Sequence, residues 1–419
     1  MPEENKTNKR DQILNDAISQ FNNQGYHDTR LEDIARIRGT GATNISYHFK
    51  SKEALLEEAY GLACNFSDAE IIVAARARNG LERAIAFIRA HAQTHANALT
   101  GMSSPLSLLN DFTAFSKPEF TLISARFNKH IEGFKLFLND GLEDGSVDVS
   151  SVNASTFFVF NVLHWLPRWI AAVPQPDRDK AIDDLCDLLR NGLAQDVQRE
   201  ADKPITRTEL DEYPAIFDRE TRNRLKRDAF LRVGTRHLNK KGYRNLSLDE
   251  ITKELGVTRG AFYYHIADKE TLFISCFERT CNLIEESQYL AANNGATDRV
   301  SELEQAMRWI FEGHITNLDP LLKYNLIHAL DPAPRALIQA RLRRLRASYA
   351  EILANGMMEG SVRTIDLDTA EHIFFGAIFT SSGRRFASTQ FYQEWQPNTT
   401  PIAVSAAYFE PLFTGLSSH

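Results

Sequence analysis

Between Thr258 and Lys269 the chain reads TRGAFYYHIADK, which places a guanidinium, two phenols, an imidazole and an ammonium within 12 residues. No base stands beside a nucleophile in this run. Its groups are hydrogen-bond donors. Arg259 suits bidentate pairing with the major-groove edge of guanine. Tyr263, Tyr264 and His265 fit backbone oxygens, and Lys269, at the start of an expected helix, adds its ammonium to a helix N-terminus that also favours phosphate. The chemistry is contact with a nucleic acid.

Such groups work only on a rigid mount, and the flanking sequence supplies one. Ser247 and Glu250 have the spacing of a capping box. Leu248, Ile251 and Leu255 then recur on one helical face. Gly256 ends that helix, since glycine takes the left-handed exit conformation. Thr258 caps the next helix and Asp268 a third. Two short helices joined by a glycine-containing turn, the second aromatic and basic, make a helix-turn-helix.

The stretch Ser247–Leu272 resembles the DNA-binding domain of the tetracycline-repressor (TetR) family of bacterial regulators. Ile251, Gly256-Val257-Thr258, Gly260, Tyr263, His265, Lys269 and Leu272 carry the likeness. Ile266 stands where the family usually has Phe. The resemblance implies that Thr258, Arg259, Gly260, Ala261, Tyr263, Tyr264, His265 and Lys269 meet double-stranded DNA.

The motif occurs twice. At a shift of 217 the chain aligns with itself: Lys9-Arg10-Asp11 on Lys226-Arg227-Asp228, Gly39 on Gly256, Tyr47-His48 on Tyr264-His265, Lys52 on Lys269, Cys64-Asn65 on Cys281-Asn282. The likeness returns late in each half, where Gly141, Gly145, Ser146 and Val147 match Gly356, Gly360, Ser361 and Val362. A period near half the chain means a duplicated domain. In the first copy Thr29 and Glu32 read as a capping box, and Gly39-Thr40-Gly41 as the turn. The candidate contacts are Thr43, Asn44, Ser46, Tyr47, His48 and Lys52. Gly41 and Ala42 replace the family's usual cap and basic residue, and Ser46 sits at the position of its phosphate-contacting tyrosine. The charges differ too. Arg219–Leu272 holds 13 Lys and Arg against 7 Asp and Glu, whereas Pro2–Leu55 holds 8 against 8.

Composition bounds the rest. The 419 residues are 43% hydrophobic and 25% charged, ordinary for globular domains, with a net charge of −7. The acidic excess falls outside the two heads. Four cysteines without framework spacing point to a reducing cytoplasm. MPEENKTNKR is too polar for a signal peptide, and Ser155–Val173 is too short and polar for a membrane span. His91 and His95 have metal-ligand spacing, but without an accompanying HExxH glutamate they read as ordinary histidines. No cofactor motif, P-loop or catalytic constellation stands out, so an enzyme is not expected.

The pattern predicts an all-α chain of two repeats. Its expected divisions are a first helix-turn-helix domain (1–55), a first helical regulatory domain (56–199), a linker (200–218), a second helix-turn-helix domain (219–272) and a second regulatory domain (273–419). Pro204, Pro214 and six acids mark the linker. Helices are expected over Lys9–Gln24, Thr29–Arg38, Ala42–Phe49, Ser51 onward, Leu81–Ala98, Pro105–Phe115, Pro118–Asp140, Val152–Val173 and Asp177–Gln198. In the second half they are expected over Glu220–Lys240, Asp268–Ala291, Thr297–Thr316, Pro320–Leu330, Pro334–Glu359, Asp368–Phe386 and Pro401–Leu416. The resemblance implies that the late helices of each half, over Val152–Gln198 and Asp368–Leu416, pack as a pseudo-symmetric four-helix interface.

Two further expectations follow from the resemblance. Family members bind DNA as dimers and release it when a small ligand enters the helical core. An apolar or amphipathic effector would lie among Phe112, Phe115, Phe127, Phe134, Phe157, Trp165 and Trp169, or among Trp309, Phe374, Phe375 and Phe379. The fused chain would act as a monomeric pseudo-dimer on an asymmetric operator, the alternative being a dimer of fused chains with four heads. Repressor is the expected sense. The competing readings are an activator, or a helical ligand binder in which only the second head meets DNA.

Overall fold

The structure, a computed structural model, describes residues 2–108, 115, 117–196, 204–205, 219–381 and 399–418. It is all-α: among the described residues the only β-type pairings are two isolated bridges, Val147 with Ser417 and Ala194 with Val362. In the first repeat the helices are α1 (Pro2–Gln24), α2 (Leu31–Ile37), α3 (Ala42–His48), α4 (Lys52–Ala74), α5 (Gly80–Leu99), α6 (Lys117–Asp144), α7 (Val152–Ile170) and α8 (Arg178–Asn191). In the second they are α9 (Arg219–Lys241), α10 (Leu248–Glu254), α11 (Arg259–His265), α12 (Lys269–Asn293), α13 (Arg299–Ile315), α14 (Pro332–Glu359), α15 (Leu367–Ser381) and α16 (Pro401–Phe413). The linker's proline-rich acidic stretch lies outside the described residues except for Pro204 and Ile205, as does the expected end of α15 beyond Ser381.

Local chemistry sets the helix ends. Thr258 Oγ1 accepts from the Ala261 N–H at 3.2 Å and Asp268 Oδ1 from the Thr271 N–H at 2.7 Å, so α11 and α12 start on side-chain caps. Ser51 does the same for α4 through the Ala54 N–H. Gly39 and Gly256 end α2 and α10 at φ +62° and +65°, backbone that a side chain would strain.

Both expected capping boxes change. Ser247 Oγ accepts from the Glu250 N–H, but the Glu250 carboxylate turns to Lys241 and His237. At α2 the cap is Arg30, whose N–H donates to Asp33 Oδ2 at 3.0 Å. Thr29 is buried and donates its hydroxyl to Gly25 O instead, which moves the helix start one residue on.

Two expected helices are not formed as expected. Residues 104–108 are not helical, because Asn22 donates to Leu106 O at 2.8 Å and accepts from Leu108 N at 2.9 Å, holding the chain by both backbone groups. Asn239 treats Leu321 O and Lys323 N in the same way at 2.8 and 2.9 Å. There the expected Pro320–Leu330 helix shrinks to a 3₁₀ turn, Tyr324–Ala329. Residues 109–114 and 116 lie outside the described residues.

The chain divides into two compact units, Met1–Leu193 with Glu410–His419, and Ala194–Phe409. The last ten residues thus pack with the first unit, where the sequence assigns them to the second repeat. In that unit Leu416 N donates to Leu189 O and Ser417 N to Arg190 O. In the second unit Gln195 N donates to Ser361 O at 2.8 Å. The Gly-Ser-Val turns flagged by the repeat are close-packed in both units. A Cβ on Gly141 would stand 2.3 Å from Val147 Cγ2, and one on Gly356 would stand 2.5 Å from Val362 Cγ2.

Each head has its own core. In the first, Ile13, Ala17, Ile18 and Phe21 of α1 close over Ile34, Ile45, Leu55 and Tyr60. In the second, Phe262 is fully buried edge-on against Phe230, with ring centroids 5.0 Å apart.

Candidate nucleic-acid interface

In the short helix α11 Phe262 is the buried anchor, and most of the other side chains face outward. Arg259, Gly260, Ala261, Tyr263 and Tyr264 are exposed, with Tyr263 and Tyr264 at 50% and 65%. Large apolar rings so open to water need a reason, and a partner surface is one. In the first head α3 hangs on Ile45 in the same way. It exposes Thr43, Asn44, Ser46 and Tyr47, the last at 69%. Ser46 donates its hydroxyl to Ala42 O. His48 and His265 are half-buried behind these faces, each edge-to-face with the preceding tyrosine.

Arg259 is not free. Its guanidinium makes a two-pronged pair with Asp249 of α10. The pair is solvent-exposed, with side chains 68% and 57% accessible, so it is weak and exchangeable. It orients Arg259 while leaving it able to trade Asp249 for a base edge.

Lys269 and Lys52, the expected phosphate contacts, also brace their own heads. Lys269 Nζ donates to Arg244 O at 3.0 Å and lies 4.9 Å from the Tyr243 ring centroid. Lys52 Nζ donates to Tyr26 O and Thr29 O at 2.8 and 2.9 Å and lies 4.0 Å from the Tyr26 ring. Each ammonium fastens the loop between the first two helices of its head. The Gly-Tyr pair before each loop is the sequence signal for that ring.

His265 sits 5.8 Å from the Phe230 ring centroid. Burial holds its pKa below the usual 6.5, and the nearby Lys226 and Arg227 push the same way. It is therefore a neutral imidazole at pH 7.

A set of cations was counted in the charge but not singled out by motif. Arg222, Arg224, Lys226 and Arg227 are all exposed along the first half of α9. Their counterparts at the 217 shift are Asn5, Thr7, Lys9 and Arg10. Arg10 is taken up by Glu58 and stacks over Phe49. Two of the six charges by which the heads differ arise at these four positions.

The described aromatic candidates for a ligand chamber lie in the helical cores, most of them in contact with other rings. Phe127 and Phe134 meet Phe160 at 6.2 and 5.8 Å, and Phe134 meets Phe87 at 5.5 Å. Phe115 packs edge-on against Tyr60 of the first head. Phe157, Trp165 and Trp169 are buried on α7, and Trp309 on α13. Phe374 and Phe375 pack on Tyr349, and Phe379 on Phe375 and Tyr324. Phe112 lies outside the described residues. A cavity of about 680 Å³ in the first unit is lined by α1, α4 and α6 with Ser104, and none of these aromatics lines it.

His91 Nδ1 donates to the Glu70 carboxylate at 2.9 Å, and the ring packs against the buried His95. Among the described residues no three His, Cys, Asp or Glu could hold a metal, and no helix is long and apolar enough to cross a membrane. All four cysteines are buried free thiols, and burial pushes Cys276 up to about 12.

The family model for bacterial regulatory proteins of the tetR family matches residues 13–59 and again residues 230–276. The HTH-type transcriptional regulator RutR of Escherichia coli (strain K12) is 49% identical over 47 residues, 11% of this chain and 22% of RutR. The match thus spans about a fifth of that relative's length. The Transposon Tn10 TetC protein of Escherichia coli is 27% identical over 140 residues, 32% of this chain and 68% of that protein. Among solved structures, the TetR family transcriptional regulator PfmR from Thermus thermophilus is 25% identical. The alignment covers 42% of this chain and 92% of that one, with a TM-score of 0.35.

Proposed function

We propose that this chain, which carries two DNA-binding domains of the tetR family, is a transcriptional regulator reading one operator with two unlike heads. The single observation that carries the reading is the pair of outward faces on α3 and α11. Each is anchored by one buried apolar residue and otherwise exposed, inside a segment that matches the family's DNA-binding model. Helices so mounted enter the major groove by their exposed side chains. It is a regulator rather than an enzyme.

The relatives RutR and AcrR are named transcriptional regulators, and IcaR of Staphylococcus aureus a negative one. Repression is therefore the proposed sense. Release by a small effector belongs to the same proposal, with the ligand preferring the form of the chain that DNA disfavours. One chain serves one operator, and covalent linkage lets a weaker first head add its contacts intramolecularly.

A mobility-shift titration on the DNA upstream of the chain's own gene, repeated at several salt concentrations, tests this reading. Sequence-selective retardation that weakens steeply with salt supports it. Equal affinity for unrelated duplexes contradicts it.

A further inference from the structure

The two repeats differ where their heads join the regulatory helices. In the second unit a guanidinium fills that junction. Arg279 of α12 is 7% exposed, donates from Nε to Asp228 Oδ1 of α9 at 2.7 Å, and donates from Nη2 to Asp319. Arg232 pairs with the other Asp228 oxygen at 2.6 Å. Two carboxylates thus clasp one buried arginine.

The first repeat keeps the acid and loses the arginine. At the 217 shift Asp228 corresponds to Asp11, Arg232 to Asn15 and Arg279 to Leu62. Asp319 follows the loop register set by the matching Asn22 and Asn239 bonds, in which Leu106 and Leu108 answer to Leu321 and Lys323. That places Ser104 at the position of Asp319. All four counterparts, Asp11, Asn15, Leu62 and Ser104, line the 680 Å³ cavity of the first unit. The cavity therefore lies where the second repeat has its ion-pair network. Glu57 adds a second carboxylate, while Tyr60 and Ile123 supply apolar wall; of the other charged groups in the lining, Glu58 is taken up by Arg10 and Arg126 donates to Asn65 Oδ1 at 2.7 Å.

We infer that this cavity is a binding site for a small organic cation, an amine or guanidine on an apolar body, whose charged head takes the place at Asp11 that Arg279 takes at Asp228. The size fits a drug-sized ligand, since such sites span about 300–1,000 Å³. The charge fits because a guanidinium matches a carboxylate in two-pronged geometry. The position is consequential: Asp11 and Asn15 lie on the first helix of the head, whereas Leu62 and Ile123 lie on α4 and α6. A cation held there ties the first head to its regulatory helices, as Arg279 ties the second. The inference rests on the effector part of the proposed function, deepens it, and moves it from the packed aromatic core to this junction.

Binding is read on the free chain, so it stands apart from DNA recognition. The probes are benzamidine and phenethylamine, each against its neutral analogue, benzamide and 2-phenylethanol. The cations should raise the melting temperature of the purified full chain by roughly 2–4 °C at saturation, and the neutral analogues should not. Asp11→Asn should weaken the cations at least tenfold in calorimetry. Leu62→Arg, alone or with Ser104→Asp, places the chain's own guanidinium in the cavity and should abolish binding. Leu62→Ala should retain it. No cation-dependent shift, or a shift that survives both Asp11→Asn and Leu62→Arg, overturns the site. Binding of the cations by a chain that selects no DNA upholds this site and overturns the proposed function. Selective DNA binding without cation binding does the reverse.

Discussion

At the scale of single residues, donors of similar charge have different work. Arg259 is exposed and held by an exchangeable carboxylate, so it is the group placed to read a base. Arg259→Ala should cost roughly 1–3 kcal/mol, confined to one position of the DNA site, measured by titration against single-base variants. Lys269 spends its charge on Arg244 O and the Tyr243 ring. Lys269→Ala should therefore lower the melting temperature and leave the salt dependence of binding nearly unchanged. Arg222→Ala or Arg224→Ala should instead flatten the salt slope by about one unit each, with stability intact. A salt slope that falls with Lys269→Ala and not with the α9 arginines would reverse these assignments. The lysines show what residue type leaves out: their position at a helix start fits phosphate, and only the loop folded back onto them reveals the carbonyls they also serve.

At the scale of elements, the capping residues explain both what could be read and what could not. The cap of α11 was legible because Thr258 precedes an apolar-anchored turn, and the structure gives it the expected bond. Thr258→Ala should cost about 1 kcal/mol by thermal or urea unfolding. Its counterpart Gly41 offers no side-chain cap at φ −85°, and a Cβ there would meet Thr43 Oγ1 at an ordinary contact distance of 3.5 Å. Gly41→Ser should therefore stabilise the chain by a few tenths of a kcal/mol, and a loss would mean that α3 starts elsewhere.

The helix expected at Pro320–Leu330 and the start of the one expected at Pro105–Phe115 differ from the expectation because proline followed by apolar residues mimics a helix start. What decides the matter is Asn22 or Asn239, more than eighty residues away, bonding the chain in a non-helical form. Long-range bonds of that kind leave no local periodicity.

A half-buried histidine gives α15 a pH signature. Burial pushes His372 on α15 from 6.5 down to about 4, with Arg346 adding to the effect. It is neutral when folded and takes up a proton on unfolding. Its contribution is fully present above pH 6.5 and is lost as pH falls from 6.5 towards 4. The melting temperature should fall from pH 7 to pH 5, and His372→Gln should make that fall shallower. An unchanged slope would place His372 in water.

At the scale of the whole molecule, duplication without identity is the central feature. The repeat was legible from the 217-residue shift, as were the two helix-turn-helix heads and the absence of strand patterning. The divergence within it was legible only in part. Charge counting caught the basic second head, but the exchange of Arg279 for Leu62 reads as one more surface difference until its neighbours Asp11, Asn15 and Ser104 are seen around one cavity. The grouping of the last ten residues with the first unit carried no sequence signal either. Identical protomers impose a palindrome, because each head reads the same half-site. Here Thr43, Asn44 and Ser46 stand against Gly260, Ala261 and Tyr263. Sequencing the fragments that the purified chain retains from a random DNA pool tests the claim of two unlike reading heads most directly. The account predicts a bipartite, asymmetric site with half-sites about 34–36 Å apart, the stronger half altered by Arg259→Ala. An enriched perfect palindrome, or no enriched sequence at all, would contradict it.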